Sequence, residues 1–543
     1  MKLHQPFPFL LLLLLPTTAS TPSPHLTVKT PTGTFTALLD PLFPHVRQFR
    51  SIPYALPPLG SRRWLPPTAF PPSTRHTYTR RFPPSCPQYQ PANISLWTSN
   101  ISDFAIRLYP SQSFNAGAVA QSSDEDCLHL AIFSPVRPDN GSTAADTRAL
   151  PVALFLPGGD FTAGGIDVPY QLPTPWIERT QKHIVVTINY RVNIFGFPWA
   201  GGLDTDKQNL GLLDARMALE WTYANIALFG GDPARITLWG QSAGAVAADM
   251  LVHAWPSEPL VSGVFLQSGT AMVDVAKPDE GRYGNFSVVA KGVGCDFPPD
   301  GEGRAAELEC MRGVPMGLIE NFVGGYKDRA EKPALTFKPA MDGRVVFGDY
   351  KVRGAEEGGL ARVPALVGTT SNEGASMVKY PAGNLTEGPW QKTIDGSTVG
   401  VFVCLASNTT AVRGKSGRTT YRYEYAGNFS SVTPFGWMGA YHASDVPMLF
   451  GTYGVKTPGR VNAAVEGISG FERRVAEAMQ DHVLAFMEDP EDGLRNRGWP
   501  AHDDGGGRNM MRFAAGRNVE RLVNAGEVDD ACVLGKEHNP SPI

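Results

Sequence analysis

The stretch Ile236-Thr237-Leu238-Trp239-Gly240-Gln241-Ser242-Ala243-Gly244-Ala245-Val246-Ala247-Ala248-Asp249-Met250-Leu251 decides the fold. Ile236 to Trp239 is a short apolar run with the length and β-branched content of a buried strand. Ala245 to Leu251 reads as the start of a helix. Between them Gly240-Gln241-Ser242-Ala243-Gly244 sets a Gly-x-Ser-x-Gly at a strand-to-helix turn, the setting of a nucleophile elbow. So tight a bend leaves room only for glycine at its flanks and holds the serine oxygen out at the tip. In a chain with 57 glycines among 543 residues the five-residue pattern is weak by itself. A hydrolase must also supply a base, a residue to orient it, and donors for an oxyanion.

Similar apolar runs recur on both sides: Pro151 to Leu156, Ile184 to Asn189, Gly263 to Gln267 and Val363 to Val367. None alternates polar with apolar, so each suits a strand buried on both faces of a parallel sheet. Helical patterns separate several of them, as in Leu213 to Phe229 with apolar positions three and four apart. Strand, helix, strand in that order predicts an α/β fold: a large, mostly parallel central sheet flanked by helices. Reactive groups in such sheets gather at the carboxyl ends of the strands. Gly158-Gly159, Gln241-Ser242 and Ser371-Asn372-Glu373 all follow strand ends.

An alkoxide-forming serine needs an imidazole within hydrogen-bond reach. In the α/β-hydrolase layout the order is serine, acid, histidine. Five histidines lie downstream of Ser242, and four of them stand beyond the helix that follows it: His442, His482, His502 and His538. His482 falls within an amphipathic helix, Phe471 to Met487, and reads as a helix-face residue. His502 and His538 stand in polar, Gly- or Pro-rich tails. His442 stands in a loop ahead of an apolar segment through Phe450, which makes it the candidate base. Glu373, in the loop after Val363 to Val367, is the candidate acid that fixes the imidazole tautomer. The loop Pro157-Gly158-Gly159-Asp160-Phe161 follows another strand. The backbone N–H groups of Gly159, Asp160 and Ala243 are therefore the candidate oxyanion hole.

The chain opens Met1-Lys2-Leu3-His4, runs apolar from Phe7 to Leu15 and then offers small residues at Thr18-Ala19-Ser20. That is the layout of a secretory signal peptide over residues 1–20, with one domain expected over residues 21–543. The apolar run is too short to span a bilayer, and the polar C-terminus argues against a lipid-anchor tail. Seven Asn-x-Ser/Thr sequons, at Asn93, Asn100, Asn140, Asn285, Asn384, Asn408 and Asn428, and an even set of six cysteines suit a secreted glycoprotein. A formal charge of −4 gives no reason to expect nucleic acid as a partner.

These residues together resemble the type-B carboxylesterase/lipase family, which includes cholinesterases and large fungal lipases. Phe229-Gly230-Gly231-Asp232-Pro233-Ala234-Arg235 leading into Ile236 to Gly244 matches the family's active-site block almost throughout. Glu125-Asp126-Cys127-Leu128 matches its second block. Phe49-Arg50-Ser51-Ile52-Pro53-Tyr54-Ala55 resembles its N-terminal block. Asn209-Leu210-Gly211-Leu212-Leu213-Asp214 and Gln267-Ser268-Gly269 are also similar. The resemblance implies an α/β-hydrolase fold with insertions and a disulfide-closed flap, the triad Ser242, Glu373 and His442, and no cofactor. It further implies the pairs Cys86–Cys127, Cys295–Cys310 and Cys404–Cys532; spacing alone leaves fifteen pairings open. Ser268 is then a structural residue, satisfied near the core.

Two departures bear on activity. The family's oxyanion loop usually carries three glycines, whereas here Asp160 occupies the third place. Its amide survives, but a carboxylate there repels the oxyanion unless it points away or is protonated. Gln241 replaces the glutamate of cholinesterases, which argues against that activity. Within the first disulfide loop Ile101, Phe104, Ala105 and Leu108 repeat at helical spacing, which suits a lid or an ordinary docked helix. Gly414-Lys415-Ser416 reads as a surface loop rather than a phosphate site, since Thr409 stands where a glycine is required. Asp503-Asp504-Gly505-Gly506-Gly507 reads as a plain turn, and no His/Cys cluster has zinc spacing. The expected protein is a secreted, cofactor-free serine esterase or lipase acting on a small-molecule or lipid ester, with possible transient contact at a lipid interface. Short acyl esters fit somewhat better than triglycerides. The alternative is a non-catalytic binding or adhesion protein on the same scaffold, which only Asp160 favours.

Overall fold

A computed structural model describes residues 24–89, 92–97, 99–101, 123–136, 148–275, 277, 280–454, 469–532 and 536–542. A small sheet joins β1 (Thr27–Thr30), β2 (Gly33–Thr36) and β5 (His76–Tyr78). The main sheet begins with β3 (Leu38–Asp40), β4 (Phe43–Pro53), β6 (His129–Pro135), β7 (Leu150–Leu156) and β8 (Ile184–Ile188). It continues through β9 (Gly231–Gln241), β10 (Gly263–Gln267), β11 (Ala365–Thr370), β12 (Thr420–Tyr425), β13 (Asn509–Phe513) and β14 (Glu520–Asn524). Its order is β14-β13-β12-β11-β10-β9-β7-β8-β6-β4-β3. From β8 to β13 neighbouring strands run parallel; β14, β6, β4 and β3 pair antiparallel at the two edges.

The continuous apolar runs are explained by burial on both faces. Val152 and Leu154 of β7, Ile236 and Leu238 of β9, and Val264 and Leu266 of β10 join one core, packed with helices Leu210–Asn225 and Ala243–Ala254. The intervening Ala153, Phe155, Trp239 and Phe265 point to the opposite core, beneath helix Gly470–Glu488. Period-two alternation thus feeds two apolar layers, and no polar face is needed. Trp239 stacks on Phe265 and on Phe450, with centroids 5.2 and 4.8 Å apart. Its indole N–H donates to Gln267 Oε1 at 3.0 Å, so the buried polar atom is satisfied.

Element boundaries differ modestly from those expected. The helix read as Leu213 to Phe229 runs from Leu210 to Asn225 and tightens into a 3-10 turn, Ile226–Phe229, that Gly230 closes at φ 98°. The strand read as Val363 to Val367 is β11, which starts two residues later and ends three residues later. Gly414 and Lys415 end helix Cys404–Lys415 instead of lying in a loop.

The three disulfides Cys86–Cys127, Cys295–Cys310 and Cys404–Cys532 are present. Phe104, Ala105 and Leu108 of the first loop lie outside the described residues, as do residues 1–20 and Asn140. Ile101 is buried among Leu96, Met438 and Tyr441. Asn93, Asn384 and Asn428 are exposed, and Asn100 and Asn408 are half-buried. Asn285 is buried, and its Nδ2, the atom a glycan would take, donates to Thr336 O at 3.1 Å.

Trp239→Ala removes a fully buried ring from between two aromatic neighbours and is expected to cost about 3–5 kcal/mol of stability. Leu42→Ala, at a half-exposed site, is expected to cost less than about 0.5 kcal/mol. Guanidinium unfolding of both variants checks this; equal losses would contradict the packing described.

Candidate active site

Ser242 stands between β9 and helix Ala243–Ala254 with φ 54° and ψ −124°, outside the regions a side chain prefers. The flanking glycines are required by contact. A Cβ on Gly240 would lie 2.1 Å from Gly244 O, and one on Gly244 would lie 2.0 Å from Leu156 O. Ser242 N–H donates to Gln267 O at 2.8 Å, which ties the bend to the end of β10. Gly269 approaches from the same side, where a Cβ would sit 2.4 Å from Ser242 O.

His442 and Glu373 meet across two loops. His442 Nδ1 lies 2.6 Å from Glu373 Oε2, while Thr370 N–H donates to Glu373 Oε1 at 2.8 Å. Both carboxylate oxygens are thereby fixed, and Glu373 is fully buried. With Nδ1–H given to the carboxylate, Nε2 is left as the acceptor. Asn372 N–H reaches Ala440 O at 2.9 Å and His442 N–H reaches Glu373 O at 3.3 Å, so the two loops are laced together.

Ser242 and His442 line one cavity of about 230 Å³, with Trp97, Tyr170, Gln241, Met377 and the loop Gly158-Gly159-Asp160. That loop is drawn close: a Cβ on Gly158 would lie 3.1 Å from Ser242 Cβ. Among the described residues no acceptor meets the N–H of Gly159 or Asp160. The Asp160 carboxylate is 70% exposed and pairs with Lys338 Nζ at 2.6 Å.

Several neighbours make contacts that the sequence does not reveal. Gln241 Nε2 donates to His442 Nε2 at 3.2 Å, so this residue contacts the candidate base rather than merely lacking a charge. Phe402, within a π-helical turn Thr398–Val403, packs against the imidazole with ring centroids 4.8 Å apart and planes tilted by 42°. Asp445, three residues beyond His442, is buried and accepts from Tyr423 O–H at 2.9 Å. Burial, with the Glu373 carboxylate nearby, pushes its carboxyl up to about 6. The other histidines stand apart: His482 Nε2 pairs with Glu520 at 2.9 Å, and His502 Nδ1 meets Asn509 O at 3.1 Å. His538 Nε2 lies 2.8 Å from Ser371 O, behind the acid loop. Ser268 is buried as expected near the core, but its Oγ meets no protein partner.

The strand order, with a serine at the bend after the central strand β9, is that of an α/β-hydrolase. Residues 25–399 match the model of the carboxylesterase family. The chain is 38% identical over 537 residues to a protein named secreted lipase 5 of Gibberella zeae, covering 95% of this chain and 96% of that one. It is 36% identical over 534 residues to a chlorogenic acid esterase of Aspergillus niger, with the same coverage. Human neuroligin-2 is 32% identical over 382 residues, which are 67% of this chain and 42% of that one. The chain belongs to the carboxylesterase family and is a carboxylic ester hydrolase.

Behind the loop lies a buried acid. Asn193 N–H donates to Phe161 O at 2.7 Å, and Asn193 Nδ2 to Glu320 Oε1 at 3.2 Å. Glu320 is 6% exposed, its Oε2 has no protein partner, and burial raises its carboxyl to about 7 from 4.5. Between those two values the unfolded chain releases a proton that the folded chain keeps. Stability from this group is therefore full below pH 4.5 and is lost as pH rises through about 7. Glu320→Gln lacks that dependence and should gain on the parent by about 3 kcal/mol between roughly pH 4 and pH 8. Unfolding free energies of both proteins at the two pH values check this; parallel curves would contradict it.

Proposed function

We propose that this ester hydrolase is an exported serine carboxylesterase that works through an acyl-enzyme. Ser242 Oγ attacks the ester carbonyl carbon while His442 Nε2 takes its proton. The N–H groups of Gly159, Asp160 and Ala243 receive the negative charge that develops on the carbonyl oxygen. The imidazolium formed is stabilised by Glu373, then gives its proton to the departing alcohol. Water attacks the acyl-enzyme by the same route and releases the acid.

The observation that carries this reading is the 2.6 Å contact between His442 and a doubly held Glu373, with His442 and Ser242 on one cavity. A structural ion pair would have no need to share a cavity with the strained serine. A cavity of about 230 Å³ suits an ester with a short acyl group better than a triglyceride. Export is supported by the signal-like first twenty residues and by the relative named a secreted lipase. No described helix is long and apolar enough to cross a membrane. Glycan at exposed sequons such as Asn93, Asn384 and Asn428 belongs to the same reading.

Hydrolysis of 4-nitrophenyl esters of increasing acyl length tests it. Ser242→Ala or His442→Ala should lower kcat by at least about 10³-fold, with the parent fastest on short chains. Glu373→Gln should lower kcat with little change in KM. Full activity of Ser242→Ala would end the serine reading. A jump in rate as a long-chain ester passes its solubility limit would instead assign a lipid interface as the working substrate.

A further inference from the structure

Asp160 presents a conflict: its amide is a proposed oxyanion donor, yet its side chain carries the same sign of charge as the oxyanion. The backbone raises a second difficulty, because Asp160 and Phe161 both stand at φ 57°, where a Cβ is disfavoured. Gly159 before them, at φ 121°, admits only glycine, since a Cβ would lie 2.2 Å from Ala163 O.

The loop is pinned along its backbone. Tyr190 O–H donates to Pro157 O at 2.8 Å, Thr162 N–H to Gly159 O at 2.9 Å, and Asn193 N–H to Phe161 O at 2.7 Å. Gly164 N–H reaches Gln88 Oε1 at 3.0 Å. Among the described residues the Asp160 carboxylate itself has one hydrogen-bonded partner, Lys338. That lysine is firmly planted. Trp199 Nε1–H donates to Lys338 O at 3.2 Å, Phe337 beside it is buried, and Asn209 exchanges two hydrogen bonds with Ala340 at 2.9 and 3.1 Å. Asp160 lines the cavity with Ser242, whereas Lys338 meets its carboxylate at the solvent side. Lys327, on helix Met316–Asp328, adds positive charge within reach of Asp160.

We propose that Lys338 is a positioning residue for the oxyanion site: its ammonium draws the Asp160 carboxylate outward and neutralises it, leaving the Asp160 N–H to face the reacting oxygen. The inference rests on the oxyanion reading given above. The substitution of aspartate for glycine in the loop is thus tolerated because a cation far along the chain answers it. An uncompensated carboxylate at that rim would oppose the transition state more than the ground state, because the negative charge on the carbonyl oxygen appears only there.

The test is a double-mutant cycle on a soluble short-chain ester. Lys338→Ala should lower kcat about tenfold and move KM less than about twofold, while Lys338→Arg should retain kcat. In the Asp160→Gly background Lys338→Ala should change kcat by less than about twofold. Parent kcat should also fall as salt rises from roughly 0.02 to 0.5 M, and that of Asp160→Gly should not, because the pair is exposed and screened. Melting temperatures within a few degrees of the parent establish that the variants fold. A loss on Lys338→Ala that is equal in both backgrounds, or below twofold in the parent, overturns the inference. Ser242→Ala runs beside them: if it keeps activity, the reading of the site fails, whereas its loss with a null cycle sinks only the role of Lys338.

Discussion

The site depends on one backbone constraint, the reversal of the chain at Ser242. A non-glycine residue at φ 54° and ψ −124° costs about 1–3 kcal/mol and persists only where its surroundings over-determine it. Here they do. The Ser242 N–H is held by Gln267 O, and Gly240 and Gly244 press against backbone atoms with no room for a methyl group. The in-register pairing of Gly240 with Leu266 and of Gln241 with Gln267 anchors the strand that enters the bend. The hydroxyl is thereby presented without flexible support.

The parallel sheet then does the assembling. In the order β7, β9, β10, β11, β12 the strands are neighbours, and all point their carboxyl ends the same way. The loop after β7 brings Gly159 and Asp160, that after β9 brings Ser242, that after β11 brings Glu373, and the long segment after β12 brings His442. The loop after β10 carries Gly269 against the bend. Residues spread from 158 to 442 converge because parallel strands set their exits side by side. Two apolar layers, centred on Leu238 and Trp239, keep those exits in place.

Much of this was legible in the sequence, for physical reasons. Unbroken apolar runs mark strands with two buried faces, and Gly-x-Ser-x-Gly marks the only bend such packing permits. Glu373 was legible because it follows a strand-like run, and His442 because it stands in a loop ahead of an apolar segment while its rivals fall in a helix or in polar tails. The cysteine pairing came from family resemblance, since spacing alone left it open. What escaped was whatever depends on distant partners. Lys338 lies 178 residues from Asp160, so the direction of that carboxylate could not be read. Nothing local marks Phe402 as the ring beneath His442, or Glu320 as a buried acid behind the loop. Boundaries slipped by a few residues where a 3-10 turn or a terminal glycine, as at Gly230, ends an element more gradually than the apolar pattern does.

The most direct measurement is chemical. Treat the intact protein with a fluorinated organophosphonate, digest it, and map the adduct by mass spectrometry while following ester hydrolysis. One adduct per chain, on Ser242 and in step with the loss of activity, is the expected result. An adduct elsewhere, or full hydrolysis with Ser242 blocked, would contradict the assignment of this bend as the reacting centre.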